Sequence, residues 1–235
     1  MLEVKNGNKR GKTNIEWLKS YHSFSFGEYF DNSNIRFGSL RVLNDDTVLG
    51  GGGFPTHPHK DMEIITYVTE GALKHKDSMG TEEIIHSGEV QKMSAGTGVY
   101  HSEFNNSETQ NVHFYQVWIF PEEKGLPPSY EKVKPEKSGR KNRLQLIASP
   151  EKVEGTVLVR QDAKMFLSDL DEGTKIKYEL NVGRGSLVHL ISGKILVNEL
   201  ELYPGDEVRI FELNSFEFLA LDNSEFLMFD VSLSF

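Results

Sequence analysis

The chain has 235 residues, of which 26% are charged and 37% hydrophobic, enough apolar material for one large β domain or two small ones. A formal net charge of −9 excludes a general attraction for phosphate backbones, so direct nucleic-acid binding is not expected. With no cysteine, disulfides, thiolate catalysis and zinc–thiolate sites are excluded, and any metal falls to the eight histidines and the carboxylates.

Residues 1–12 are mixed polar and basic, and no window approaches the roughly 18 consecutive apolar residues of a membrane-spanning helix, so a cytoplasmic chain without a membrane partner is expected. Short runs rich in Val, Ile, Phe and Tyr, separated by Gly, Asn, Asp and Pro, predict strands over 35–43, 63–70, 71–77, 83–86, 89–93, 100–105 and 111–120. In the last run His113, Tyr115, Val117 and Ile119 share one face, and Phe114, Gln116, Trp118 and Phe120 the other. Both faces are largely apolar, which predicts a central strand. Upstream, Trp17, Phe24, Phe26, Tyr29 and Phe30 form an aromatic-rich stretch read mainly as core, although it could shield an apolar ligand.

Composition changes abruptly over 121–142, where prolines and charges replace apolar runs. This segment is read as an interdomain connection. Strands resume at 144–148, 156–161, 164–170, 175–180, 185–192, 194–197, 207–211, 215–221 and 225–232. The halves echo each other: Glu70-Gly71 followed by Gly88-Glu89-Val90 resembles Ser192-Gly193 followed by Gly205-Asp206-Glu207-Val208. In each, glycines supply the positive φ of tight turns.

The chemistry sits in two segments. One runs from Gly51 through His57 and His59 to Glu63, and the other from Gly96 through His101 and Glu103 to Asn105. Residues i and i+2 of an extended strand project to one side, so His57 with His59, and His101 with Glu103, each present two donors to one face. An isolated His-x-His pair is as readily a solvated surface feature. Two such pairs beside glycines point instead to a shared divalent cation with open coordination positions. Of the other histidines, His75 and His113 are candidates for lining the pocket, whereas His22, His86 and His189 are read as hydrogen-bonded or surface residues. The second half has no His-x-His pair, so its barrel is expected to be metal-free.

Gly51, His57, His59 and Glu63 fit the first motif of the cupins. Gly88, Gly96, His101 and Asn105 fit the second, except that Ser94 replaces its proline and the glycine-to-histidine gap is longer by two. That departure, with the segments 22–30, 37–43, 57–63 and 100–103, resembles the pirin family from about residue 10 to Pro121 and more loosely beyond. The resemblance implies an all-β fold of two tandem cupin (double-stranded β-helix, jelly-roll) barrels. These are a metal-binding domain over 1–125, a linker over 126–143 and a degenerate, metal-free domain over 144–235. It implies His57, His59, His101 and Glu103 as ligands of one divalent cation, with Glu63 as the alternative fourth ligand. Iron is the first choice, and Mn, Co, Ni, Cu and Zn are also admissible.

For function the resemblance implies a quercetin 2,3-dioxygenase that opens flavonols with dioxygen and releases carbon monoxide, Glu103 serving as ligand and general base. The alternative is a non-catalytic, metal-dependent regulator that binds protein partners, as other pirins do. A cupin isomerase is a further alternative. No long apolar edge strand stands out, so a monomer is expected.

Overall fold

The structure, a computed structural model, describes residues 1–234; Phe235, the last residue of the expected second domain, lies outside them. Its strands begin with β1 (Leu2–Lys5), β2 (Gly11–Ile15), β3 (Leu18–His22), β4 (Leu40–Val48), β5 (Gly53–His59), β6 (Glu63–Glu70), β7 (Ala72–Asp77) and β8 (Glu82–His86). Next come β9 (Val90–Ser94), β10 (Val99–Asn105), β11 (Val112–Ile119), β12 (Ser129–Val133), β13 (Gln145–Ser149), β14 (Val157–Leu158) and β15 (Ala163–Leu170). The last are β16 (Lys175–Glu179), β17 (Arg184–Ser192), β18 (Ile195–Val197), β19 (Leu200–Leu202), β20 (Glu207–Phe211), β21 (Ser215–Ala220) and β22 (Ser224–Ser232). Helical structure among the described residues amounts to two short 3-10 turns, and no helix is long and apolar enough to cross a membrane.

Two compact units result. The first comprises Gly11–Pro135 and Pro150–Gln161, and the second Met1–Arg10, Glu136–Ser149 and the chain from Asp162 onward. In the first, a sheet ordered β12-β9-β6-β11-β4-β3-β2 faces a sheet ordered β5-β10-β7-β8. Val48, Val68, Val112 and Phe114 from one sheet pack with Leu73 and Ile85 from the other. In the second, the series β1-β20-β17-β22-β15-β13 is matched by β16-β21-β18-β19, and Val188, Val208 and Phe226 pack with Val197, Phe216 and Phe218. As anticipated, the strand over 112–119 is central, with β4 on one side and β6 on the other.

The glycine echo is real at the backbone. Gly71 and Gly193 have φ of 75° and 80°, and Gly88 and Gly205 have 84° and 85°. The N–H of Gly88 donates to the Val68 carbonyl at 2.8 Å, as that of Gly205 does to Leu190. One turn geometry therefore closes the same hairpin in both units.

Sequence and structure differ most at the edges. The segment 126–143, read as a solvated linker, contains β12, which pairs with β9 through Tyr130↔Met93 and Val133↔Val90. Prolines on either side confine it to an edge, where backbone pairing needs little apolar side chain. In the same role β1 pairs with β20, so Met1–Arg10 groups with the second unit and not with the residues that follow it. A strand expected over 35–43 lies at Leu40–Val48. Its polar Asn44-Asp45-Asp46-Thr47 run lies beyond the predicted strand, yet Asn44 and Asp46 are buried within the observed one.

Candidate metal centre

Strands β5 and β10 are adjacent antiparallel partners, not walls facing each other across the barrel, and His57 stands directly opposite His101 in their register. A register shift between His101 and Glu103 relieves the pairing with β5, while on the other side Glu103 stays opposite His75 and His101 opposite Asp77 on β7. The expected i, i+2 geometry thus brings three imidazoles together: ring centroids lie 4.8 Å apart for His57 and His59, 4.5 Å for His57 and His101, and 4.8 Å for His59 and His101. Their donor atoms form one group able to hold a cation, and His75, His101 and Glu103 form a second that shares His101.

The tautomers suit that task. Nδ1 of His57 donates to the Pro55 carbonyl at 2.8 Å, leaving Nε2 as a lone pair 3.1 Å from Nε2 of His101. A spacing of about 3 Å is that of neighbouring nitrogens bound to one ion at ~2.1 Å. Burial, aided by repulsion from His101 and His57, brings His59 down to about 4. Burial, with repulsion from His57 and His75, brings His101 down to about 3. Both rings are therefore neutral at pH 7, the form that ligates metal.

Glu103 is 2% exposed and receives only neutral donors, Gln91 Nε2 at 2.7 Å on Oε1 and Gln116 Nε2 at 2.8 Å on Oε2, with the Thr66 hydroxyl 3.3 Å from Oε1. No basic side chain pairs with it among the described residues, so a buried carboxylate here lacks a counter-charge that a cation would supply. The glutamine amides are themselves oriented, since Tyr130 OH donates to Gln91 Oε1 at 3.0 Å and Thr66 Oγ1 to Gln116 Oε1 at 3.1 Å. Hydroxyl to carbonyl and amide to carboxylate, each bond runs toward Glu103. Burial pushes the Tyr130 phenol above its ordinary range, so it keeps the proton it donates. Tyr130→Phe is expected to weaken metal binding about tenfold in a chelator competition, because the Gln91 amide loses the bond that sets its direction; unchanged affinity would show that Gln91 is held by packing alone.

Glu63 is placed elsewhere by strand parity. Thr66 and Ile64 face Glu103 and the cavity, so Glu63 belongs to the other face of β6. Its Oε2 accepts from the Ser94 hydroxyl at 2.8 Å and from the Arg160 N–H at 3.3 Å. Ser94, the departure from the cupin proline, also accepts from the fully buried Lys92 at 3.0 Å. The residue that breaks the motif is thus the one that anchors Glu63 away from the histidines.

The imidazoles and Glu103 open on a cavity of about 770 Å³ whose apolar wall includes Phe26, Phe54, Ile64 and Trp118. Trp118 stands edge-on to His59, with ring centroids 4.8 Å apart. Of the aromatic N-terminal stretch, Phe26 joins the cavity, Phe24 is core and Phe30 is exposed. Among the remaining histidines, His22 is hydrogen-bonded and buried, His86 is exposed, and His113 pairs with Asp45 at 2.8 Å outside the cavity. His75 sits behind the group, its Nε2 3.2 Å from Asp77 and its ring stacked on Tyr130.

A family model described as Pirin matches residues 3–119, and one described as Quercetinase C-terminal cupin domain matches residues 146–231. The chain is 40% identical over 98% of its length to the quercetin 2,3-dioxygenase of Escherichia coli (strain K12), covering 99% of that protein. It belongs to the pirin family. The crystal structure of the pirin YhhW from Escherichia coli superimposes with a TM-score of 0.95 at 39% identity, covering 98% of this chain and 97% of that one. A structure of bacterial pirin YhhW from the same organism in complex with nickel(II) gives a TM-score of 0.94 at 39% identity, covering 99% of each chain.

The two units are accordingly the two cupin barrels of a pirin, and their registers can be compared position by position. In the first, Gln91, Thr66 and Gln116 form one rung across β9, β6 and β11. The corresponding rung in the second is Val208, Val188 and Met228. Glu103 lies opposite His75, four residues after Gly71; Phe218 lies opposite Val197, four residues after Gly193. By the same register Phe216 occupies the place of His101, and Tyr178, opposite Phe216, the place of His57.

Proposed function

We propose that this pirin is a metal-dependent dioxygenase that cleaves quercetin-like flavonols with dioxygen and releases carbon monoxide, with His57, His59, His101 and Glu103 holding one divalent cation. The observation that carries the reading is the convergence of three imidazoles and a buried carboxylate without a basic partner at the wall of an aromatic-lined cavity. The name of the 40%-identical Escherichia coli relative supports the substrate class. Bound there, iron, or Mn, Co, Ni, Cu or Zn in its place, would supply a Lewis-acidic centre for oxygen chemistry.

The chain's own residues do the rest. Phe26, Phe54 and Trp118 offer flat apolar surface to an aromatic substrate and exclude water from the histidines. Glu103 has about four lone-pair positions, of which the two glutamine amides occupy two. The positions left free suit it both to bind a cation and to take a proton beside it, the ligand and general-base roles proposed for it. In the second barrel Tyr178, Phe216, Phe218, Val188, Val208 and Met228 stand where polar groups would be needed, and they support a metal-free, structural role.

The test follows loss of the visible absorbance of quercetin and release of carbon monoxide with and without oxygen. Wild type is expected to consume quercetin only aerobically, and His101→Ala to lose both bound metal and turnover. A metal-loaded wild type that leaves quercetin intact in air would favour the regulatory reading, in which the metal tunes a protein-binding surface.

A further inference from the structure

A second polar group lines the same cavity, on β2, β3 and β4. The His22 ring is held by Thr13 Oγ1 at 2.9 Å, Asn44 Oδ1 at 2.9 Å and Ser20 Oγ at 3.3 Å. Beside them Asp46 is 3% exposed and hydrogen-bonded to the Ser20 hydroxyl. Its Oδ1 is buried and has no hydrogen-bond partner. Asp46 belongs to neither group of metal-capable residues, yet it shares the cavity with both Glu103 and the histidines.

An unpartnered buried carboxyl oxygen is costly, and the cost disappears when a donor arrives. In a closed barrel core the usual remedy is an apolar residue. The second barrel differs at both positions: the equivalents of Asn44 and Asp46, read from the pairing of β15 with β22, are Phe166 and Ser168, an apolar ring and a small hydroxyl that donates to the Arg143 carbonyl. A carboxyl at this position is therefore not repeated in the second barrel, and its unpartnered oxygen beside the cavity leaves it suited to a ligand.

We propose that Asp46 is a substrate-binding residue whose carboxyl, one oxygen of which has no partner, accepts a hydrogen bond from a phenolic hydroxyl of the flavonol, distinct from the hydroxyl that faces the histidines. This rests on the flavonol reading above and sharpens it: the preferred substrate is hydroxylated at both ends. Burial pushes the Asp46 carboxyl up to about 7, the Ser20 hydroxyl works against the rise, Asp45 on the same strand and Glu103 on β10 add to it, and His113 on β11 opposes it. His22, Lys12 and Glu28 are the other titratable side chains lining the cavity nearby. In either protonation state Asp46 keeps an oxygen able to accept from a phenol.

The experiment is an anaerobic binding titration, by absorbance and fluorescence, of quercetin and of 3-hydroxyflavone, which lacks the additional ring hydroxyls. It compares wild type with Asp46→Ala and Asp46→Asn, each both metal-loaded and metal-depleted. Asp46→Ala is expected to bind quercetin roughly 10–100-fold more weakly while 3-hydroxyflavone binds as to wild type, and Asp46→Asn, which keeps a carbonyl acceptor, is expected to fall between. Retained 3-hydroxyflavone binding also shows that the variants are folded. Unchanged quercetin binding by Asp46→Ala, or equal weakening of both flavonols, overturns the inference and leaves the flavonol reading standing. If wild type binds neither compound, the flavonol reading itself fails and the inference fails with it.

Discussion

Glu103→Ala is expected to lose metal almost completely, whereas Glu63→Ala is expected to keep it, with metal per chain measured by elemental analysis after gel filtration. Loss of a residue that merely supports a ligand costs roughly 10–100-fold in affinity, and loss of a ligand costs more. Alanine at 103 would also leave the Gln91 and Gln116 amides facing a void, each lost bond adding about 1 kcal/mol of destabilisation. At position 63 the damage is different: Lys92 is fully buried and loses the carboxylate whose charge acts on it, so Glu63→Ala should be the less stable protein and the better metal binder. The two carboxylates belong to different strands, and Glu63 faces Ser94 and Arg160 while Glu103 faces the cavity of the histidines. Metal retained by Glu103→Ala and lost by Glu63→Ala would reverse that assignment.

Asp46→Asn is expected to stabilise the metal-depleted protein progressively as pH rises from about 4 to 7, and to leave it unchanged below that range. The unfolded aspartate titrates near 3.8, and burial raises the folded one to about 7. Below the lower value both states carry the proton and the carboxyl imposes no penalty. Between the two values the unfolded chain gives up the proton that the folded carboxyl keeps, so wild type loses up to about 4 kcal/mol relative to the asparagine variant across that window, the loss being complete near pH 7. Urea unfolding at several pH values between 4 and 8 measures the difference, which should grow with pH and level off above 7. A difference independent of pH would mean that Asp46 is well solvated through the cavity.

Much of the site was legible without coordinates because it depends on short-range geometry. His57 with His59, and His101 with Glu103, share faces by the two-residue period of a strand, whatever the strand later pairs with. Glycines at 71, 88, 193 and 205 mark turns for an equally local reason, the positive φ that other residues resist. The polar Gln116 on the apolar Phe114–Trp118 face was a readable signal too, a buried amide that needs a partner.

What local pattern could not decide is which distant segments meet. Glu63 and Glu103 both fit a ligand spacing, and only the approach of Thr66 to Glu103 and the hydrogen bond of Ser94 to Glu63 reveal which face of β6 points inward. The edge strands β1 and β12 have little apolar periodicity of their own and exist because β20 and β9 offer unpaired backbone. The strand predicted over 35–43 stops short of Asn44 and Asp46, whose polarity would usually mean solvent; here it means the lining of a cavity. The donor pairs were therefore determined by the chain's own periodicity. Their company, Gln91, Gln116, Tyr130 and Asp46, was decided by tertiary structure, because cross-strand contact depends on pairing between segments whose separation in sequence carries no local record.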